Sequence, residues 1–224
     1  MSTTKLDKIK EVALQFLYAP MPNDIIVSHP FTTSTIALVD GKQLNLLDMK
    51  DLAVWHEYMT KFIRESESFK PIYYMIQKPY KIGFLRLIRP YISLEEFSEF
   101  FRDAYISDEF PCRNYSKREL LVQLRKTDKK YLMREEDYEV YCNLPQVVTA
   151  YRGVLKPKYS KGLSWSLDIK TAQWFGKRFA YGDEYLLCKI NAPKERVYAY
   201  FNDRDEQEVL IDTKNLDVKY ITQQ

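Results

Sequence analysis

Apolar residues in the first two thirds of the chain recur at helical spacing. Residues 1–17 and residues 49–66 each carry apolar side chains at intervals of three and four, so both segments predict amphipathic helices. Apolar runs flank Asp40 and Gly41, a pair that favours tight turns, and predict a small β-hairpin between these helices. From about residue 146 the pattern changes to short β-branched and aromatic runs separated by Gly, Pro, Asp and Asn.

Capping residues indicate where several helices begin. Asp48 precedes the second amphipathic segment and can accept hydrogen bonds from its first turn. Ser93 and Ser116 each stand three residues before a glutamate, which is the pattern of a capping box. The two boxes predict helices over about 94–105 and 117–127.

These patterns together predict an α+β chain. A mainly helical region with the small hairpin covers residues 1–145, and a mostly antiparallel β region covers residues 146–224. One helical segment, residues 168–179, lies inside the β region. No linker separates the two regions, so we expect them to form one compact unit.

The composition narrows the class of protein. Apolar residues at 46% and charged residues at 29% are typical of soluble globular proteins, and a net charge of +3 permits a polyanionic partner without requiring one. The three cysteines are far apart and show neither disulfide nor zinc spacing, so we expect a reducing cytoplasm and no metal. The start of the chain reads as an amphipathic helix, not as a signal peptide. Because no run of 18 apolar residues occurs, we expect no membrane span.

Two features outside the β region leave their role open. His29 and His56 are isolated from each other in the sequence, and neither is given a role. The tract over residues 113–134 interleaves lysine and arginine with apolar residues at helical spacing. Such a tract forms either a solvated helix surface or a phosphate-binding face.

Three short motifs in the β region carry the chemistry. In chain order they are Arg152 in AYRG, Ser164 and Ser166 in SWS, and Glu206 and Glu208 in EQE. Residues i and i+2 of a strand face the same way, so the sequence predicts that both carboxylates project side by side. Like charges at that spacing repel and serve no purpose in a purely structural strand, which indicates a function.

The order and spacing of these motifs resemble the arginine-serine-glutamate class of mono-ADP-ribosyltransferases. This class includes the iota-type clostridial toxins and small phage-encoded enzymes that modify host proteins. The resemblance covers residues 146–224 and implies a β-sandwich ADP-ribosyltransferase core, with NAD as substrate and no metal. It departs from the family at Trp165, where a small residue is usual, and we expect that indole to point into the core.

The resemblance implies a catalytic role for three of these residues. Glu208 stabilises the positive charge that develops on the ribose when the nicotinamide bond breaks, and Ser164 holds its carboxylate. Glu206 orients or deprotonates an incoming guanidinium.

Other residues are expected to bind NAD. Arg152 suits the pyrophosphate because its planar guanidinium can hold phosphate oxygens at two points. Gly153 lets the main chain approach the nicotinamide, and Ser166 helps to close the turn into the following helix.

The segment GKRFAYGDEY, residues 176–185, resembles the loop that covers the nicotinamide. Phe179 and Tyr181 are both candidates to stack on the ring, with core packing as the alternative, and Arg178 is expected near the phosphates. Trp174 and Phe175 are instead expected in the core.

The acceptor of ADP-ribose is the main open question. Glu206 favours arginine on a cytoplasmic protein, and Asn202 and Arg204 either contact that acceptor or form a solvated turn. One alternative is transfer to a base of RNA or DNA, with residues 113–134 as the footprint, and another is an NAD-binding module without activity. A phage enzyme, a toxin and a translocated effector would look alike, and a toxin would require a neutralising antitoxin.

Overall fold

A computed structural model describes residues 4–21, 28–108, 111–180 and 184–221. The chain divides into two compact units, Met1–Asn114 and Tyr115–Gln224. The sequence predicted this boundary between residues 145 and 146, about 30 residues later. The difference arises because helices between residues 115 and 145 pack against a strand of the second unit and therefore belong with its sheet.

The first unit is helical with one hairpin. Its elements are α1 (Lys5–Leu17), β1 (Ile36–Val39), β2 (Lys42–Asn45), α2 (Met49–Glu65), α3 (Phe69–Met75), α4 (Lys78–Ile88), α5 (Leu94–Ser107) and α6 (Pro111–Asn114). The predicted hairpin is confirmed, because β1 and β2 pair antiparallel around Asp40 and Gly41. Both turn residues have positive φ angles, 48° and 76°, as a two-residue hairpin turn requires.

The predicted helix starts are also confirmed. The Asp48 carboxylate accepts from the main-chain N–H groups of the first turn of α2. Ser93 and Glu96 form a reciprocal capping box at the start of α5, and Ser116 and Glu119 form another. In the described part of the chain, no helix has the length and the apolar character that crossing a membrane would need.

In its described residues, the second unit combines four α-helices with one antiparallel sheet. Its helices are α7 (Lys117–Leu124), α8 (Lys129–Leu132), α9 (Glu135–Cys142) and α10 (Ile169–Ala180). Its strands are β3 (Val147–Val154), β4 (Ser164–Ser166), β5 (Leu186–Pro193), β6 (Val197–Phe201), β7 (Glu208–Ile211) and β8 (Val218–Ile221). The α+β class is confirmed. These six strands are connected in the order β6-β7-β4-β3-β5-β8, and β3 and β4 are joined at one residue pair, Tyr151 and Ser166. The finer prediction of a β-sandwich core stays a prediction.

Two contacts determine the packing around this sheet: the burial of Trp165 and the contact of α10 with Gly153. Trp165 in β4 is 2% exposed, and its indole N–H donates to the Gly162 carbonyl, so the expected core position is confirmed. Helix α10 packs directly on β3 at Gly153. A Cβ at Gly153 would stand 2.2 Å from the Ala172 carbonyl oxygen and 2.5 Å from the Gly176 nitrogen, so only glycine allows this contact. The helix that follows β4 is therefore held against the sheet next to the predicted site.

Candidate active site

The three predicted motifs lie on three neighbouring strands. Arg152 is in β3, Ser164 and Ser166 are in β4, and Glu208 is the first residue of β7. β4 lies between the other two strands, although β7 follows it only after two further strands in the chain. Antiparallel pairing places Ser166 opposite Glu208. The sheet therefore brings together residues that are far apart in the sequence.

Glu208 has the most perturbed carboxyl group of the site. It is half-buried, and the Ser164 side chain hydrogen-bonds its carboxylate. Burial raises the pKa of Glu208 to about 7, and the negative charge of Glu206 adds to that rise. The hydroxyl of Ser164 and the positive charges of Arg152 and Arg204 act in the opposite direction. Near neutral pH this group therefore exchanges its proton readily.

Glu206 does not lie in the strand. β7 begins at Glu208, and Gln207 has a φ of 46°, so the main chain bends between the two glutamates. The prediction that strand geometry places both carboxylates side by side is therefore wrong, although their charges still influence each other. Burial raises the pKa of Glu206, against the positive charges of Arg204 and Arg178. Glu206 thus stands in the turn before the strand, among cationic side chains.

Arg152 is tied to the main chain. Its guanidinium donates to the carbonyl of Tyr159 at 3.2 Å and to the carbonyl of Ser164. Gly162 leaves room for it, because a Cβ there would lie 2.5 Å from the central guanidinium carbon. Arg152 therefore anchors β4 and lends its charge to Glu208.

Ser166 has a structural role at the turn into α10. Its hydroxyl donates to the Glu206 carbonyl at 2.7 Å and accepts from the Asp168 N–H at 3.0 Å. Asp168 in turn accepts from the N–H groups of Lys170 and Thr171 at the start of α10, and these bonds hold its pKa below the usual range. The predicted turn closure is present, and the NAD contact of Ser166 stays a prediction. The packing of α10 explains Gly153 without a ligand, and its contact with nicotinamide also stays a prediction.

The C-terminal part of α10 differs from expectation at one residue. Trp174 is 52% exposed, so its predicted core position is wrong, whereas Phe175 is half-buried. The guanidinium of Arg178 lies over the Trp174 ring at 5.2 Å. The side chain of Phe179 and all of Tyr181, the two candidates to stack on nicotinamide, lie outside the described part of the structure.

Most basic side chains of the 113–134 tract are exposed, which fits the first predicted alternative, a solvated helix surface, but some of them also bond to the sheet. Lys117 donates to the carbonyl of Lys161 and to the hydroxyl of Thr213. Arg125 donates to the hydroxyl of Tyr198, and its guanidinium lies 3.3 Å from the Asp212 carboxylate. These cations connect the helices to the strands of the second unit. The phosphate-binding alternative for the exposed basic residues stays a prediction.

Sequence reasoning missed several residues that build the site. The role of Asp168 could have been predicted, since an aspartate directly before an apolar helical pattern favours an N-cap. No local sequence pattern predicts the roles of Gly162 and Arg134, because each contacts a residue distant in the chain. The guanidinium of Arg134 lies 2.7 Å from the Asp203 carboxylate, which belongs to the turn that carries Glu206.

The arrangement can stabilise a developing positive charge and accept a proton. Glu208 supplies a poised carboxylate, Glu206 supplies a second one towards the turn, and the nearby guanidinium groups supply positive charge. No cluster of three or more His, Cys, Asp or Glu side chains that could hold a metal ion occurs among the described residues. Comparison of the chain with models of protein families, with curated proteins and with solved structures found no match in any of the three.

Proposed function

We propose that the second unit has an ADP-ribosyltransferase core and transfers ADP-ribose from NAD to a macromolecular acceptor, with arginine on a protein as the favoured class. The proposal combines the sequence resemblance with one structural observation. That observation is a half-buried carboxylate, Glu208, held by the Ser164 hydroxyl next to a second carboxylate and the charge of Arg152. A plain structural strand gains nothing from this group, because burial of a carboxylate is unfavourable unless it is compensated.

The chemistry follows from the charges. The bond between the ribose C1′ and the nicotinamide nitrogen breaks, and its electron pair leaves with neutral nicotinamide. The ribose then carries positive charge, which the ionised Glu208 stabilises. A nitrogen lone pair of the acceptor guanidinium forms the new bond to C1′, and the displaced proton passes to Glu206.

The NAD-binding residues are part of the same proposal. Arg152 and Arg178 supply positive charge for the pyrophosphate, Gly153 lets the main chain approach the nicotinamide, and Ser166 closes the turn beside the bound NAD. Phe179 or Tyr181 covers the nicotinamide. The two hydrogen bonds that Arg152 gives to the main chain support a fixed orientation of its guanidinium. Phage, toxin and effector settings in a cytoplasm all fit this chemistry.

Labelled NAD tests the function directly. Purified protein is mixed with NAD labelled on its adenylate part and with lysate protein, RNA or DNA in separate reactions, and Glu208→Gln protein serves as the blank. Label that migrates with protein and is lost with the blank supports the proposal. Label on RNA or DNA makes a nucleobase the acceptor. Binding of NAD without release of nicotinamide would show a module without activity.

The pH dependence of NAD hydrolysis provides a first prediction. Because the folded protein raises the pKa of Glu208 from 4.5 to about 7, its carboxyl is mostly protonated below pH 6 and ionised above pH 8. Only the ionised form stabilises the ribose charge, so kcat/KM should rise with pH through a midpoint of about 7. Initial rates of nicotinamide release between pH 5 and 9 give this profile.

The pH profile of a second protein, Glu206→Gln, provides the control. Glu206→Gln removes the negative charge that raises the pKa of Glu208, so the midpoint should move to lower pH. A midpoint that stays near the ordinary value of 4.5 in both proteins would contradict the role of Glu208.

Substitution of Arg152 provides a second prediction. Arg152→Lys keeps the charge but loses the planar fork, so NAD affinity should fall by about tenfold, roughly the 1.4 kcal/mol of one charged hydrogen bond. Calorimetric titration with NAD measures the change. Arg118→Lys is the matched control, because Arg118 is exposed on α7 of the same unit. Unchanged affinity in both Arg152→Lys and Arg152→Ala would leave Arg152 as a structural anchor of β4 only.

A further inference from the structure

The turn over residues 202–207 is held in an unusual conformation. Asp205 and Gln207 have positive φ angles of 55° and 46°, which costs about 1 kcal/mol for each residue that is not glycine. Inside the turn, the Asn202 side chain accepts from the Gln207 N–H at 3.0 Å. Asn202 is therefore occupied in shaping the turn. A turn with two such residues keeps its shape only when neighbouring groups restrain it.

One end of the turn is attached to the residues after β4. The Ser166 hydroxyl donates to the Glu206 carbonyl at 2.7 Å, and the Leu167 N–H donates to the Gln207 carbonyl at 3.0 Å. The first bond holds the carbonyl of Glu206 itself, and the second holds Gln207, which joins Glu206 to β7. They leave the first half of the turn to be held by other groups.

The other end is attached to the corner between α8 and α9. Arg134 stands at the start of α9, and its guanidinium lies 2.7 Å from the Asp203 carboxylate, whose side chain is 12% exposed. The neighbouring Met133 is buried, and its sulfur accepts from the Tyr200 N–H at 3.3 Å, near the end of β6. The corner is thus fixed on the strand that leads into the turn.

We infer that Arg134 is a positioning residue that sets the place of Glu206, and thereby decides how much ADP-ribose goes to an acceptor and how much to water. The inference rests on the proposed function. Glu208 is held in β7 by pairing with Ser166 on one side and Phe201 on the other, whereas Glu206 sits in the turn that the ion pair between Arg134 and Asp203 restrains. Misplacement of a reacting group by about 1 Å can cost up to 10²-fold in rate.

The ion pair is better suited to positioning than to stability. The Arg134 side chain is 56% exposed, so water screens much of its attraction to the Asp203 carboxylate, although the Asp203 side chain is only 12% exposed. Its removal should therefore leave the protein folded. The effect of its removal should appear in the partition between the two reactions.

The test compares two activities on the same protein samples. Nicotinamide release without acceptor measures hydrolysis, and transfer to agmatine, a small alkyl guanidine, measures acceptor use. Arg134→Ala should lower the ratio of transfer to hydrolysis by about 10- to 100-fold while hydrolysis changes less than about twofold. Arg134→Lys should restore part of the ratio, and the exchange of charges in Arg134→Asp with Asp203→Arg should restore more than either single change.

Arg125→Ala is the matched control. Arg125 is also exposed and also pairs with a buried aspartate, Asp212, but it does not touch the turn. Its substitution should leave the ratio unchanged. Thermal unfolding of every variant shows whether it is folded. If Arg134→Ala is not folded, the ratio is compared between wild type, Arg134→Lys and the exchanged pair instead.

The outcomes separate this inference from the proposed function. Wild-type protein without nicotinamide release would refute the proposed function itself. Wild-type protein that hydrolyses NAD but modifies neither agmatine nor lysate protein would refute the acceptor role of the turn. Equal loss of both activities in Arg134→Ala, or an unchanged ratio, would refute the positioning role while the proposed function stands.

Discussion

Replacement of Glu208 by glutamine should lower NAD turnover by about 10²- to 10³-fold while NAD still binds. Glutamine keeps the shape of the side chain and removes the negative charge that the ribose requires only in the transition state. Nicotinamide release measures turnover, and calorimetry measures binding. Glu195→Gln, an exposed change in the same unit, is the control.

The same substitution should not weaken the fold. A glutamate whose pKa is raised in the folded state contributes stability that is complete below its unfolded pKa of 4.5 and is lost as the pH rises from there through about 7. Glu208→Gln lacks the ionised form, so at pH 8 its free energy of unfolding should be higher by on the order of 1–3 kcal/mol, and at pH 4 unchanged. Near-normal nicotinamide release by a folded Glu208→Gln protein would remove Glu208 from the mechanism.

Replacement of Glu206 by glutamine should separate the two reactions. Hydrolysis needs the charge of Glu208 alone, whereas transfer also needs a carboxylate that takes the proton of a weakly nucleophilic guanidinium. Glu206→Gln should therefore keep most of the hydrolysis and lose transfer by about 10²- to 10⁴-fold. Released nicotinamide and labelled acceptor are measured on one protein sample.

Two results would change this assignment. A parallel loss of both reactions would place Glu206 in the NAD site. Survival of transfer would favour an acceptor other than arginine, including a nucleobase, because such an acceptor does not require the second carboxylate.

Local signals in the sequence predicted the elements of the fold well. Asp40 and Gly41 predicted the hairpin because only certain residues tolerate positive φ, and Ser93 and Ser116 predicted helix starts because capping is a short-range interaction. The boundary between the units was predicted less well. It depends on the packing of α9 on β6, which no local pattern encodes.

The site was predictable in part. The motifs of Arg152, Ser164 and Glu208 indicated their strands, but their adjacency depends on the strand order, which only the resemblance suggested. The predicted position of Glu206 on the strand was wrong because Gln207 adopts a positive φ although it is neither glycine nor asparagine. The predicted core position of Trp174 was wrong because the apolar face of α10 runs through Phe175. A helix turns by about 100° between neighbouring residues, so Trp174 lies outside that face.

Three glycines of the second unit limit, through packing alone, which sequences can form this site. Added Cβ atoms would meet α10 at Gly153, the Arg152 guanidinium at Gly162 and the Tyr185 ring at Gly176, all within 2.5 Å. Alanine would therefore require the main chain to move at Gly153 and a neighbouring side chain to move at Gly162 and at Gly176. In a family of such chains, these positions would diverge slowly because of packing, so low tolerance to substitution alone would be a poor guide to catalytic residues.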